Sequence, residues 1–172
     1  MHPKKDPQTV TPDGTLLQPL IDGVRVRMAT TQVDERGTLS ELYNPAWGFE
    51  EAPLVYVYQV SLRPKKIKGW VVHRLQDDRL FISQGTLRVV LYDDRADSPT
   101  HRMVNELFLS EWNRGLLRIP RGVYHALQNV GDTDALFINM PTRAYNHADP
   151  DKYRLPLDND LIPFKFKDGS GR

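Results

Sequence analysis

The sequence predicts an all-β protein, a β-sandwich or barrel built from many short strands. Short apolar and β-branched runs recur along the chain, turn-rich stretches separate them, and no window of a dozen residues has a helical period. The 13 prolines also disfavour long helices, because proline lacks the amide hydrogen that a helix interior requires. Short strands separated by regular turns are typical of sandwiches and barrels.

The predicted strands follow one another from residue 24 onward. Residues 24–29, VRVRMA, alternate apolar and charged side chains, as a half-buried strand does. Residues 54–62, LVYVYQVSL, are β-branched and aromatic and have turn residues on both sides. The remaining predicted strands are, in chain order, WVVH, RLFIS, TLRVVLYD, NELFL, LLRI, YHALQNV and DALFINM. Turns such as DDRADSPT, IPRG and NVGDTD separate them.

Composition predicts one domain over residues 1–172, with loose ends at about 1–14 and 167–172, because no repeat or shift in composition divides the chain. The 23 basic and 22 acidic residues balance, which gives no indication of a nucleic-acid or membrane surface. The absence of cysteine excludes disulfides, thiolate nucleophiles and zinc–cysteine sites. No apolar stretch has the character of a signal peptide or a spanning helix, so a cytoplasmic protein is expected.

Two of the five histidines lie in predicted strands: His73 ends WVVH and His125 lies in VYHAL. Each could be a core histidine bonded to a backbone carbonyl or a group in a pocket. The apolar neighbours of His73 predict a neutral imidazole that can accept a proton near pH 7. Small β-barrel oxygenases usually present His-x-His and a carboxylate, and that pair is missing here. The ligand set therefore looks incomplete, and no metal is expected.

Five segments, spread in order from about residue 30 to residue 164, carry a resemblance to a known family. They are DERGTLSE (34–41), GWVVH (69–73), QGTLRVVLYDDRADSPT (84–100), LLRIPRGVYHALQNV (116–130) and TRAYNHADPDKY (142–153). They resemble, in the same order, the D-x-R-G-x-x-x-E, R-G-L-H, D-x-R-x-x-S-P-T, I-P-x-G-x-x-H-x-F and T-x-x-Y-x-P-x-x-E segments of the dTDP-4-dehydrorhamnose 3,5-epimerases, the RmlC-like sugar-nucleotide cupins. The resemblance implies a cupin jelly-roll barrel with few short helices. It also implies a homodimer formed by exchange of N-terminal strands, with residues before about Pro53 adding to the partner's sheet.

The resemblance further implies a cofactor-independent epimerase that inverts C3, C5 or both in a nucleotide-linked 4-keto-6-deoxyhexose, with dTDP as the expected nucleotide. His73 falls on the family's general base, and an imidazole suits proton abstraction near neutral pH. Tyr145 falls on the group that returns a proton to the opposite face. Arg36 falls on an arginine that can reach the partner's site and hold the diphosphate. His125 and Asn139 complete the expected substrate contacts.

The sequence departs from the family at three places. Trp70 replaces the arginine before the histidine and is expected to contact the substrate by stacking on a base or sugar. Arg79 is a candidate for the charge of the family's pocket lysine, although counting back from Gly85 puts Asp78 at that position. The family's orienting aspartate lies in a C-terminal S-x-K-D stretch, where this chain offers only Asp168.

Two other functions stay open at this point. A related 3,4-ketoisomerase would use the same enolate chemistry, but that family has a second histidine soon after the first, and HRLQDD lacks it. A non-catalytic cupin that binds a sugar nucleotide would not need the missing lysine and aspartate. Exchange of solvent deuterium into a 4-keto-6-deoxy sugar nucleotide distinguishes the epimerase from the binding protein.

Overall fold

Two mainly antiparallel sheets lie face to face in the computed structural model, which describes residues 3–12 and 17–171. The strands are β1 (Arg25–Met28), β2 (Thr31–Asp34), β3 (Gly37–Ser40), β4 (Tyr58–Leu62), β5 (Lys66–Val72), β6 (Asp78–Gln84), β7 (Thr86–Asp93), β8 (Val104–Ser110), β9 (Gly115–Ile119), β10 (Val123–Asn129), β11 (Ala135–Asn139), β12 (Tyr153–Arg154) and β13 (Ser170–Gly171). A short 3₁₀ helix spans Pro45–Trp47, and no α-helix occurs among the described residues. The predicted all-β class is confirmed.

The first sheet has the order β1-β9-β6-β11-β4 and the second the order β12-β5-β10-β7-β8, with β13 beside β5. Strands β2 and β3 form a separate hairpin. Consecutive strands β6 and β7 lie in different sheets, and the chain passes between them at Gly85, which has a φ of +74°. A side chain there would meet the Cα of Ala135 at 2.8 Å, so glycine is required for both reasons.

The core lies between the sheets, and a second apolar layer covers the outer face of the second sheet. In β7, Leu87, Val89 and Leu91 point into the core between the sheets. Val90 points the other way and packs with Trp70 in the outer layer. Side chains from the C-terminal segment, including Ile162, Phe164 and Phe166, complete this layer. Both faces of the second sheet are therefore buried, which explains the long apolar run in β7.

The C-terminal segment is part of the sheet and is not a loose end. Ser170 and Gly171 pair in parallel with Lys66 and Ile67 of β5. Gln128 in β10 donates to the backbone carbonyl of Asp168 at 2.8 Å. The expectation of a loose end over 167–172 was wrong for these residues, because the backbone edge of β5 supplies pairing that the polar composition does not reveal. Residues 1, 2, 13–16 and 172 lie outside the described part of the chain.

In the described part of the chain, no helix is long and apolar enough to cross a bilayer.

Candidate active site

Three strands bring two histidines and an aspartate together at one end of the barrel. His73 directly follows β5, Asp78 begins β6, and His125 lies in β10, which pairs with β5. The Nε2 atom of His73 lies 3.3 Å from Oδ2 of Asp78, and Nε2 of His125 lies 3.6 Å from the same oxygen. All three residues are buried, and the two imidazole centroids are 5.6 Å apart. We call these three residues the His–Asp–His cluster.

Asp151 holds the loop that carries His73. Its carboxylate accepts hydrogen bonds from the backbone amides of Arg74, Leu75 and Gln76 at 2.9, 2.7 and 3.1 Å. Its backbone carbonyl contacts Nδ1 of His73. Because a carbonyl can only accept, Nδ1 carries a hydrogen. Nε2, the atom that faces Asp78, is therefore the ring nitrogen that can exchange a proton.

The cluster separates the protonation states of its members. Burial alone would raise the pKa of the Asp78 carboxyl, but the hydrogen bond and charge of His73 outweigh it and lower the pKa to about 2. Burial alone would lower the pKa of His73, but the Asp78 carboxylate outweighs it and raises this pKa above its ordinary value. The pKa of His125 falls to about 4, chiefly through burial, so this ring is neutral at pH 7.

The expectation of a neutral His73 took into account only its sequence neighbours. Its sequence neighbours are apolar, but the group that faces Nε2 is the buried Asp78 carboxylate from the neighbouring strand. An ionised carboxylate at this distance favours the charged imidazolium over the neutral ring. Asp168, the only candidate that the sequence offered for this role, instead lies at the C-terminal edge, where its backbone carbonyl accepts from Gln128.

Two tyrosines and an asparagine border the cluster. Tyr58 in β4 and Asn139 in β11 are paired in the first sheet, and the Asn139 amide donates to the Tyr58 hydroxyl at 2.7 Å. Burial, together with the nearby charge of Asp78, raises the pKa of Tyr58 to about 12, and the ionisable Tyr145 adds to this effect. Tyr145 is half exposed and stacks edge-on against His147, with ring centroids 4.8 Å apart. These interactions place Tyr58 and Asn139 beside Asp78, while the contact that Tyr145 makes is with His147.

The structure corrects the expected role of Trp70. Its side chain is fully buried in the outer layer, with ring centroids 6.3 Å from Phe164 and 5.7 Å from Phe166. Side chains alternate between the two faces of a strand, so Trp70 points away from the face that carries Val71 and, beyond it, His73. The indole is a core residue and cannot stack on a substrate.

Arg79 is also a structural residue and not a substrate contact. Its fully buried guanidinium holds the start of β6 in place through four carbonyl groups at 2.6–3.3 Å. These carbonyls belong to Ala52, Pro53, Met140 and Pro141. Strand alternation explains the correction, because Asp78 faces the histidines and its neighbour Arg79 must face the opposite way.

Arg36 lies at the turn of the β2–β3 hairpin, where its side chain is 81% exposed and pairs with Asp34. Within its own chain, its recorded partner is this neighbouring aspartate, and the hairpin stands apart from both sheets. Its expected contact with a diphosphate therefore depends on the arrangement of a second subunit.

The ligand set that looked incomplete from the sequence is more nearly complete in the structure. One donor atom each from His73, Asp78 and His125 lies within 4.8 Å of the others, a grouping that a divalent cation can use. The hydrogen bonds favour proton chemistry for these atoms: Nδ1 of His73 is taken by Asp151, and Gln76 donates to Oδ1 of Asp78 at 3.1 Å. A cation on Nε2 of His73 would occupy the only atom of that ring that can take a proton.

Sequence reasoning identified the two histidines but missed the groups that organise them. Asp78, Asp151 and Tyr58 were not named as site residues. Only one signal in the sequence pointed to Asp78: counting back from Gly85 puts it at the position of the family's pocket lysine. Asp151 binds the backbone amides that follow His73 and contacts the His73 ring through its own carbonyl. Such backbone contacts leave no side-chain pattern in the sequence.

Comparison with known proteins supports the resemblance over most of the chain. The family model for dTDP-4-dehydrorhamnose 3,5-epimerase matches residues 18–162. The chain is 36% identical over 150 residues to the spore coat polysaccharide biosynthesis protein SpsL of Bacillus subtilis, covering 86% of this chain and 97% of SpsL. It is 35% identical over 141 residues to the probable low-salt glycan biosynthesis epimerase Agl13 of Haloferax volcanii, covering 81% of this chain and 90% of Agl13.

The solved structures agree with the fold. A dTDP sugar isomerase from Desulfovibrio desulfuricans superposes with a TM-score of 0.79 at 27% identity, covering 84% of this chain and 91% of that one. The 4-keto-6-deoxy sugar epimerase NovW of Streptomyces spheroides superposes with a TM-score of 0.76 at 20% identity, covering 90% of this chain and 81% of NovW. With two facing sheets, a buried histidine at the mouth of the barrel and a family match over residues 18–162, the chain belongs to the dTDP-4-dehydrorhamnose 3,5-epimerase family.

Proposed function

We propose that this protein inverts C3, C5 or both of a dTDP-linked 4-keto-6-deoxyhexose, without a cofactor, with His73 as the general base. The observation that carries the proposal is the buried His73, whose Nδ1 is fixed by Asp151 and whose Nε2 lies 3.3 Å from Asp78. This is the geometry of a base with one defined proton-accepting atom. One solved neighbour, the 3'-monoepimerase ChmJ of Streptomyces bikiniensis, is described in complex with dTDP and with dTDP-quinovose, which supports a nucleotide-sugar ligand. We expect the protein to act in the cytoplasm.

The chemistry follows from the ketone at C4 of the sugar. A carbonyl acidifies the C–H bonds on either side of it, so Nε2 of His73 takes the proton while the bonding electrons move onto the carbonyl oxygen as an enolate. The enolate oxygen needs a hydrogen-bond donor in a site shielded from water. Tyr58 is available for this, because its raised pKa of about 12 keeps its hydroxyl protonated at neutral pH. Returning a proton to the opposite face of the carbon inverts it, and Tyr145 is the proposed donor.

The experiment that tests the function is solvent exchange. The purified protein is incubated in D₂O with dTDP-4-keto-6-deoxyglucose, and deuterium incorporation at C3 and C5 is followed by NMR together with the stereochemistry of the product. An epimerase incorporates deuterium and inverts the labelled carbon. Binding without exchange would identify a non-catalytic nucleotide-sugar cupin, and migration of the ketone to C3 would identify a ketoisomerase.

Tyr145→Phe is expected to reduce epimerisation more than it reduces solvent exchange. The phenolic proton is removed while the ring remains, so His73 can still take the proton from the substrate and exchange it with solvent, but the opposite face is not reprotonated. The ratio of inverted product to deuterium incorporated is the measurement. A matched control is Tyr153→Phe on β12, whose ring packs against the Arg74 guanidinium at 4.1 Å. An unchanged ratio in Tyr145→Phe would remove Tyr145 from the mechanism.

The β2–β3 hairpin supports a homodimer formed by exchange of N-terminal strands. Val33 and Leu39 on this hairpin are 74% and 62% exposed, although both are large and apolar. A two-stranded hairpin with apolar side chains in water is unstable by itself, so its faces need a partner surface. A second copy of this chain is the proposed partner, and the exchange would carry Arg36 toward the partner's pocket to bind the diphosphate.

Replacing Val33 and Leu39 together with aspartate is expected to convert the dimer to a monomer at micromolar concentration, because two charges would be buried at the subunit interface. Light scattering coupled to size exclusion gives the mass. Trp112→Asp is the matched control: its side chain is 89% exposed in the turn between β8 and β9, and the variant should stay dimeric. A wild-type protein that is monomeric under these conditions would contradict strand exchange.

A further inference from the structure

We propose that Asp78 is the positioning carboxylate of His73, so that this chain obtains from β6, next to the base, the orienting negative charge that Asp168 was considered to supply. The inference rests on the proposed function, since it assigns a role in the same reaction. The same residue stands where the family has its pocket lysine, so this chain has an aspartate at that position in place of a lysine.

The first support is geometric. Asp78 is 3% exposed and lies between the two imidazoles, with Oδ2 3.3 Å from Nε2 of His73. Its other oxygen accepts from the Gln76 amide at 3.1 Å, so both oxygens have partners. The backbone on either side is held in place, on one side by the Arg79 guanidinium and on the other by the amide of Asp77, which donates to Thr142 at 2.9 Å. The contacts made by Gln76, Asp77 and Arg79 therefore hold the Asp78 carboxylate in place.

The second support is the proton balance at His73. Nδ1 already carries a hydrogen bonded to the Asp151 carbonyl, so in a neutral ring the unprotonated Nε2 lies 3.3 Å from an ionised carboxylate. A proton on Nε2 removes the repulsion between them. When the base takes a proton from the substrate, the C–H bond breaks, its electrons pass to the carbonyl oxygen, and the imidazolium forms beside the Asp78 carboxylate. The carboxylate stays ionised throughout and stabilises the charge that develops on the ring.

The charged and titratable groups around the cluster agree with this assignment. His73 is faced by Asp78 from β6, by the neutral His125 from β10 and by Asp151 from the segment before β12. From farther out, the Asp78 charge contributes to raising the pKa of Tyr58, and the Lys152 charge contributes to lowering the pKa of His125. The Asp151 carboxylate accepts hydrogen bonds from three backbone amides. Asp78 is therefore the acid whose carboxylate lies next to the His73 imidazole.

Asp78→Asn tests the proposal, because the amide keeps the shape and removes the charge. We expect kcat to fall about tenfold or more, with a smaller change in KM, and the acidic limb of kcat/KM to move to lower pH. The direction follows from removing an anion that favours the imidazolium, since the ring then loses its proton at lower pH. In the protein without substrate, NMR titration of the His73 ring nitrogens should move in the same direction. Asp168→Asn is the matched control and should leave both the profile and the titration unchanged.

The outcomes separate this inference from the proposed function. An unmoved His73 titration in folded Asp78→Asn, or a shift in Asp168→Asn instead, would overturn the role of Asp78 even in an active epimerase. A shifted titration in a protein that catalyses no exchange would support the pairing while the proposed function fails. Should Asp78→Asn not fold, the wild-type ring nitrogens decide: a His73 that titrates at or below the ordinary histidine pKa of about 6.5 contradicts the proposal, and one that titrates above it supports the proposal.

Discussion

His73→Asn is expected to lower turnover by about 100-fold or more, the scale on which a positioned general base contributes to catalysis. Asparagine fills similar space and can still donate to the Asp151 carbonyl, but it has no atom that accepts a proton near neutral pH. The loss should appear equally in epimerisation and in deuterium exchange, because both begin with proton abstraction. Initial rates of both processes, measured on the same preparation with dTDP-4-keto-6-deoxyglucose, provide the comparison.

His101→Asn is the matched control for this variant. His101 is exposed in the turn between β7 and β8, so its replacement should leave turnover within the error of the wild type. Circular dichroism and thermal unfolding establish that both variants are folded. If folded His73→Asn exchanges deuterium at the wild-type rate, His73 is a core histidine, and the protein is better described as a nucleotide-sugar-binding cupin.

The activity of the wild type is expected to depend on pH through the protonation of His73. Only the form of His73 that is unprotonated at Nε2 can act as a base, and Asp78 raises the pKa of this ring above the ordinary histidine value. Activity is therefore gained as pH rises through that elevated pKa. A base surrounded only by apolar groups, as expected from WVVH alone, would instead become active at lower pH.

The parts of the fold that could be predicted are those fixed by local pattern. Each predicted run from WVVH to DALFINM contains or overlaps a strand of the structure, because burial on one or both faces leaves a strong apolar signal. Residues 54–57 were predicted as strand but precede β4, where they lack a neighbour in the sheet. The short strands β12 and β13 were missed, because pairing of polar residues with a distant edge has no periodic signature. The β2–β3 hairpin was missed because each of its four-residue strands, TQVD and GTLS, has a single large apolar residue.

The site could be predicted only where a single residue type marks it. His73 and His125 are conspicuous in apolar strands, and their meeting follows from the pairing of β5 with β10. The choice between Asp78 and Arg79 depended on which face of β6 each occupies, and a shift of one residue exchanges the faces. The four carbonyls that bind Arg79 determine which face of β6 it occupies, and they come from segments far away in the sequence.

Trp70→Ala is expected to lower the free energy of unfolding by about 3–5 kcal/mol, the usual cost of emptying a large aromatic site in a core. The indole is fully buried against Phe164 and Phe166, and these two residues attach the C-terminal segment to the outer face of the second sheet. Trp70→Phe should cost less, because it keeps most of the apolar contact and removes an indole N–H that has no hydrogen-bond partner. Urea unfolding followed by circular dichroism, at one fixed protein concentration, gives the values.

Trp112→Ala provides the control for the same measurement, since that side chain is 89% exposed and its loss should change stability by no more than about 0.5 kcal/mol. The comparison also tests the correction made to Trp70. A residue that stacked on the nucleotide or sugar would, when truncated, weaken substrate binding and leave unfolding nearly unchanged. A core residue does the opposite: stability falls, while KM measured well below the unfolding temperature stays close to that of the wild type. Loss of substrate affinity at wild-type stability in Trp70→Ala would therefore return the indole to the binding site.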